Sequence, residues 1–268
     1  KIIGYLKSLR VINMLNRKQE YEKMAEVEMD HWWYQTLHKK VFDVFKFMHY
    51  TKDISVLDAG CGTGGLLMKM QMSGYSNIFG FDVSNDAVSY CTEHGLIVKS
   101  CNLVDVKDAF PEKNFDVIIS NDTMYFLEMN QIINFISDCN EILNTGGVII
   151  CNMPALKKFS GIHDISVGIK HRFSKKDIAK YFNNESFAIV EETYWPLLLS
   201  PVILLVRTIQ RIKIKLSSDI KIKSDIGMPL NWINNILIKI CVWDVSHLKY
   251  GSTPIKTESS VKMAEYSQ

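Results

Sequence analysis

Residues 56–65 read Val-Leu-Asp-Ala-Gly-Cys-Gly-Thr-Gly-Gly, and downstream residues 81–84 read Phe-Asp-Val-Ser. Ile54, Val56 and Leu57 supply the short apolar run of a buried parallel strand. That strand ends in an acid, Asp58, and runs into a glycine-rich turn. Gly60, Gly62 and Gly64 permit positive φ and carry no Cβ, so the backbone can turn tightly and lie against a ligand. Leu66 to Met72 have the pattern of a helix start, whose free N–H groups would face that ligand. A second strand ends at Asp82, where a carboxylate can accept both ribose hydroxyls of an adenosine. Ligands of open parallel sheets bind in the crevice beyond the carboxyl ends of the strands. These residues predict a nucleoside-cofactor site in an α/β sheet, built on Asp58, Gly60, Cys61, Gly62, Gly64, Asp82 and Val83.

A competing reading exists. Gly60, Gly62 and Gly65 also satisfy G-x-G-x-x-G with an acid downstream, the fingerprint of a dinucleotide site. That reading predicts a nicotinamide-dependent oxidoreductase. Asp58 speaks against it, because dinucleotide loops usually place a neutral residue two positions before the first glycine.

Composition narrows the class. The 268 residues are 47% hydrophobic and 22% charged, as in soluble globular proteins, and suffice for one α/β domain with an elaboration. A net charge of +2 is too mild to demand a nucleic-acid partner. The six cysteines, at 61, 91, 101, 139, 151 and 241, show no C-x-x-C spacing. They read as apolar core residues of a reduced compartment, with neither a zinc site nor a disulfide framework. Nothing at the start has the shape of a signal peptide, so a cytoplasmic setting is expected.

Three parts are expected along the chain. Residues 1–52 form a helical N-terminal cap, with Val27, His31, Tyr34, Leu37 or His38, Val41, Phe45 and Met48 on one helix face. Residues 53–195 form the cofactor-binding core, with strands at 54–58, 78–82, 96–99, 115–120, 147–152 and 187–194. Helical patterns intervene at Ala87–His94, Gln131–Leu143 and Lys175–Phe182. Ser174 and Asp177 suggest an N-cap for the last of these, and Gly146-Gly147 a C-cap before the fifth strand. Alternating strands and helices imply a Rossmann-like, doubly wound, mostly parallel sheet, here expected to be seven-stranded. Residues 196–268 form a C-terminal extension. Leu197–Val206 is apolar, interrupted by Pro201 and too short to span a bilayer. Ile212–Leu216 and Ile220–Ile222 alternate with lysines around Ser217-Ser218-Asp219, suggesting a hairpin, and Asn231–Val242 again has a helical apolar pattern. The extension is read either as a lid or as a peripheral membrane contact through residues 197–223, where apolar residues are flanked by basic ones.

The string VLDAGCGTG resembles motif I of class I methyltransferases that use S-adenosylmethionine (SAM). Phe110–Asn121, FPEKNFDVIISN, resembles their strand-four region. The segment Asp53–Tyr194 is similar to the broad UbiE/UbiG-like group. His31-Trp32-Trp33-Tyr34, the stretch PALKKFSGIHDISVGIKHRFSKKDI, the Arg-containing helix after Trp195-Pro196 and SDIGMPLN resemble one bacterial subgroup of it. The resemblance implies SAM as cofactor, S-adenosylhomocysteine as product and an activity class without a substrate. No metal is expected, since His31 and His38 share a helix face with no third ligand, and the acceptor is read as a small molecule, a sugar, polyketide-like metabolite or lipid-linked intermediate, methylated on oxygen in preference to nitrogen or carbon. In many such proteins an acid after strand three meets the adenine amino group. Here Asn102 with Leu103, or Asp105, occupies that place, and Asn121 follows at the tip of strand four. Bases of nucleic acids are usually methylated by enzymes with a proline-rich loop there, which Ser120–Tyr125 lacks. An aromatic helix before motif I often folds over the cofactor in this family, so Trp33 and Tyr34 are candidates to border a sulfonium, worth about 0.5–2 kcal/mol, or else to bury the helix.

Methyl transfer from a sulfonium gains mainly from positioning, and an oxygen nucleophile of high pKa also gains from a general base. His163, adjacent to Asp164, is the first candidate base, and His171, adjacent to Arg172, the second. Tyr125 is a candidate to border the methyl group. A subunit that binds SAM without turnover is the non-enzymatic alternative.

Overall fold

The computed structural model describes residues 21–182, 187–216, 227–247 and 261–267. Five strands form the parallel sheet: β1 (Val56–Ala59), β2 (Ile78–Asp82), β3 (Val98–Ser100), β4 (Phe115–Asn121) and β5 (Leu143–Pro154), in the order 3-2-1-4-5. Alternate residues on each strand face opposite sides, and in β1 and β2 and most of β4 and β5 both sides are buried, so these strands read as largely apolar runs. Leu57, Phe79, Phe81, Ile118 and Ile149 enter one core. Val56, Ile78, Val117, Ile119 and Ile150 enter the other. The first core is covered by the short helix α4 (Val106–Ala109), α5 (Met129–Ile142) and α7 (Lys175–Phe182). The second is covered by α1 (Trp32–Phe47), α2 (Gly65–Met72) and α3 (Asn85–Glu93). This is the Rossmann-like arrangement. Beyond β5 lie β7 (Val261–Ser267) and β6 (Ala188–Trp195), in the order 5-7-6 with parallel pairing.

Local chemistry sets the element ends. His31 caps α1 by accepting the Trp33 N–H, and Ser84 caps α3. Ser174 and Asp177 exchange hydrogen bonds before α7, a reciprocal cap. The apolar stripe beginning at Val27 spans two helical segments, not one: residues 21–27 are helical, a turn follows, and α1 begins at Trp32. The glycine pair Gly146-Gly147 does not end a helix. The α5 helix stops at Ile142 and the pair lies inside β5, where Gly146 has φ +79° and the β4–β5 register shifts. Ile212–Leu216 is not a strand either. It closes α8 (Ser200–Leu216), because its apolar residues continue the three- and four-residue spacing that starts upstream. Pro201 sits in the first turn of α8, where its missing N–H costs no hydrogen bond. The proposed turn at Ser217–Asp219 lies outside the described residues. A last helix, α9 (Asn231–His247), packs on α1, and α6 (Ile162–Val167) follows β5. Among the described residues no helix is long and apolar enough to cross a membrane.

Asp116 ties three strands at their amino ends. Its carboxylate accepts the Ser55 N–H at 2.8 Å and the Asn144 side-chain amide at 2.8 Å. Replacing Asp116 by Ala leaves both donors without that acceptor, and a loss of about 1–3 kcal/mol is expected. The measurement is a urea melt, in which the midpoint falls while the slope stays unchanged.

Candidate functional site

The glycine turn is stitched to the tip of β2. Gly60 and Cys61 N–H groups both donate to the Phe81 carbonyl, at 2.8 and 3.0 Å. Gly62 N–H donates to one Asp82 carboxylate oxygen at 3.0 Å, and Ser84 N–H to the other at 2.9 Å. Gly60 and Gly62 have φ of +84° and +54°, so an L side chain is strained at either. A Cβ on Gly60 would also lie 2.4 Å from Thr123 Cγ2 at the tip of β4. The turn therefore requires glycine both for its dihedrals and for the close approach of a neighbouring strand end.

The helical segment before α1 covers this turn. Tyr21, Met24 and Glu28 share one face by their spacing. The Tyr21 hydroxyl donates to Asp82 Oδ1 at 3.0 Å. A Cβ on Gly62 would meet Met24 Sδ at 2.9 Å. Glu28 is buried, accepts the Thr63 hydroxyl and is hydrogen-bonded by the Gly65 backbone. Three carboxylates, those of Glu28, Asp58 and Asp82, thus surround the turn. Burial raises Glu28 to about 7, against the partial relief of its hydrogen bonds. Burial raises Asp58 to about 8, with the like charges of Glu28 and Asp82 adding to it. His38 lies 3.9 Å from Glu28. Burial, with Lys69 nearby, lowers His38 to about 3; it is neutral at physiological pH and forms no ion pair there.

A second polar group sits at the tip of β4. Asp122 has φ +53°, an uncommon backbone state for a residue with a side chain. It accepts the Trp33 indole N–H at 3.3 Å and the Asn152 side-chain amide at 2.8 Å. Asn152 in turn accepts the Trp195 indole N–H at 3.0 Å, and the Trp33 and Trp195 rings stack at 4.7 Å. Trp33 therefore fastens α1 to the sheet edge. Tyr34 turns toward the His31 and His38 rings. Tyr125 is buried, and burial with the nearby Asp122 charge raises its phenol well above the ordinary range. Asn121 Oδ1 is buried with no hydrogen-bond partner among the described residues. Beyond β3, Asn102 caps the short turn Leu103–Asp105 by accepting the Val104 N–H. Leu103 packs partly against the core, and Asn102, Asp105 and Val83 are exposed.

The loop after β5 departs from expectation. Asp164, next to His163 in sequence, pairs with Arg172. Its two oxygens are held bidentately by Arg172, at 2.6 and 2.9 Å, and Arg172 also donates to the Ala155 carbonyl. A guanidinium fork matches a carboxylate better than an imidazole does, which explains the pairing. His171 instead lies 3.8 Å from Glu128. A cleft of about 500 Å³ opens beside it, lined by Lys157, Asp164, Lys170, His171 and Arg172 among others. His171 borders this cleft, whereas His163 is not among its lining residues.

Sequence reasoning missed Tyr21, Met24 and Glu28, whose i, i+3, i+7 spacing was the available signal. It also missed Asp122, Asn152 and Trp195, whose association depends on strand pairing. The buried acids make one expectation concrete. Glu28→Gln keeps the acceptor for Thr63 but has no proton to lose. Because the folded state holds the Glu28 proton more tightly than the unfolded chain, its stability contribution is full below about pH 4.5 and is lost as pH rises through about 7. The variant should match wild type near about pH 4 and exceed it by about 1–3 kcal/mol at about pH 8, read from thermal melts at both pH values.

Comparison with known proteins follows the same line. Phosphoethanolamine N-methyltransferase 3 of Arabidopsis thaliana is 34% identical over 77 residues, which are 27% of this chain and 16% of that protein. Ribosomal protein L11 methyltransferase of Lactobacillus johnsonii is 30% identical over 115 residues, 41% of this chain and 32% of that protein. The chain thus spans less than a third of the length of these curated relatives. Among solved structures, magnesium protoporphyrin IX methyltransferase from Synechocystis with bound SAH aligns over 59% of this chain and 74% of its own, with 17% identity and a TM-score of 0.49. The family model described as a methyltransferase domain matches residues 50–189, more than half of the chain, and the chain belongs to that family.

Proposed function

We propose that this protein transfers a methyl group from SAM to a small-molecule acceptor. The observation that carries this reading is the glycine turn walled by Asp82, Asp58 and Glu28. The donor set fits the cofactor. Asp82 stands where ribose hydroxyls would be accepted once Tyr21 yields its hydrogen bond. The backbone at Gly60 and Gly62 leaves no room for a Cβ. Acids raised by burial, and at Asp58 also by like charges, suit a ligand bearing both an ammonium and a sulfonium. SAM, when bound, supplies a methyl already activated by its sulfonium. Asn121, Asn102, Leu103 and Val83 at the neighbouring strand ends, with Trp33 and Tyr34 of α1, complete the proposed cofactor set. The family match favours this reading over a dinucleotide one.

The acceptor is assigned to the cleft beyond β5. His171 is the preferred base there because it borders the cleft with a carboxylate, Glu128, near its ring. His163 takes second place, and Tyr125, whose phenol keeps its proton, can border but not deprotonate an acceptor. The favoured acceptor atom is oxygen, on a sugar, polyketide-like metabolite or lipid-linked intermediate. Membership of the UbiE/UbiG-like bacterial subgroup, a seven-stranded sheet completed by β7 and β6, and the division at about residues 52 and 195 belong to the same proposal.

Two measurements test it. Gly62→Val and Asp82→Ala should each weaken SAM binding by at least about tenfold in titration calorimetry, since a charge-assisted hydrogen bond is worth about 1.5–3 kcal/mol. Unchanged affinity in both would remove the cofactor from this turn. Incubation with methyl-labelled SAM and a native cell extract, followed by solvent partition, should move label into an acceptor. Tight SAM binding with no labelled product in either phase would instead favour a non-catalytic subunit.

A further inference from the structure

The helix α8 is inside out. On α8 the residues turned to solvent are Pro201, Val202, Leu205, Val206, Ile209, Ile212, Lys213 and Leu216. All but Lys213 are apolar, Leu205 is 62% exposed and Leu216 is 82% exposed. Three polar residues of the same helix face the protein. Arg207 and Gln210 press on Gly161, where a Cβ would meet them at 2.6 and 2.5 Å, and Gln210 accepts the Ile162 N–H. Arg211 donates to the Lys158 carbonyl. An amphipathic helix packed on a protein core shows the opposite order. On α9, Asn234, Cys241 and Asp244 are buried, while Trp232 and Trp243 are 63% and 48% exposed among the polar Asn231, Asn235 and Lys239. Asp244 accepts the Leu197 N–H, which joins the far end of α9 to the chain entering α8.

Along α8 the charge has one sign among the described residues, and exposed Asp30 stands beside Asn234 of α9. Among the described residues from Pro196 to His247 the only acid is the buried Asp244. The exposed cations are Lys213 on α8 and Lys239 on α9, with Lys157 and Lys158 exposed on the segment that α8 packs against. An exposed apolar stripe edged by lysines, with tryptophans on a neighbouring helix, has the composition of a helix lying in a lipid headgroup layer. A second copy of the chain would be a poorer occupant. The α8 and α9 faces are each about 25 Å long at 1.5 Å per residue and about 10 Å wide, together roughly 500 Å² against the ~800 Å² per partner of a stable interface.

We propose that α8 and α9 form a docking surface for an anionic lipid bilayer. The inference is independent of the methyl-transfer reading, because attachment to lipid needs neither SAM nor an acceptor. If both hold, the cleft lined by Lys157 and Lys170 borders the segment that α8 packs against.

The test uses the full chain and co-sedimentation with vesicles of phosphatidylcholine, with or without phosphatidylglycerol. Binding is expected to the mixed vesicles, weakened by high salt. The double variant Leu205→Glu, Ile209→Glu alters only exposed positions, and a thermal melt checks that it is folded. It should bind mixed vesicles at least about tenfold less well, since it replaces two inserting side chains by charges. Lys213→Glu should weaken binding to the mixed vesicles more than to the neutral ones. Three results would overturn the proposal: wild type that stays in the supernatant, a folded double variant that sediments equally, or a dimer in light scattering that the double variant dissolves without any vesicle binding.

Discussion

The Asp82 carboxylate is the fixed point of the site. Its two oxygens accept two backbone N–H groups and a phenol from three separate segments: the glycine turn, the start of α3 and the helical stretch before α1. A carboxylate at the end of a buried strand would be costly without such donors. With them it sets how the turn leaves β1, because Gly62 can reach it only with φ in the left-handed region. The geometry of the turn is therefore dictated from the neighbouring strand, not from its own residues alone. Two further acids share the space: Glu28, with only the Thr63 hydroxyl and the Gly65 backbone as donors, and Asp58, and burial raises them to about 7 and about 8. A cation entering the turn would favour the ionised form of both, whatever the net charge of the chain.

The opposite wall is organised by hydrogen bonding between aromatic and amide groups. Asp122, Asn152, Trp33 and Trp195 form a chain that crosses from α1 through the tips of β4 and β5 to the end of β6. Asn152 and Trp195 are buried, so each polar atom in this chain needs its partner. The strained dihedral of Asp122 is held by the same contacts. This chain positions α1 over the carboxyl edge of the sheet, and with it Tyr34 and the segment bearing Tyr21.

Much of this was legible in the sequence, for a physical reason. Strands buried on both faces are uniformly apolar, and a tight ligand-facing turn needs glycine, so the positions of β1, β2, β4 and the turn follow from residue type. The capping pair Ser174 and Asp177 was legible because it is local. What was not legible depends on pairing in space. Asp164 could be read beside His163 or Arg172, and only the fold brings the guanidinium to it. The glycines at 146 and 147 resembled a helix end, because a bulge inside a strand and a C-cap both ask for positive φ. Ile212–Leu216 alternates with lysines as a strand would. In α8 it is the exposed end of a helix, and alternation over five residues fits either period.

The family match begins at residue 50, yet the physical unit does not. Asp82 takes a donor from Tyr21, Gly62 takes its cover from Met24, Thr63 donates to Glu28, and Asp122 takes a donor from Trp33. Excision of the matched stretch would strip the turn of its roof and remove the Glu28 charge that helps to raise Asp58. The family match covers the floor of this pocket. Its ceiling, and the electrostatic character that comes from enclosure, is written in the thirty residues ahead of it.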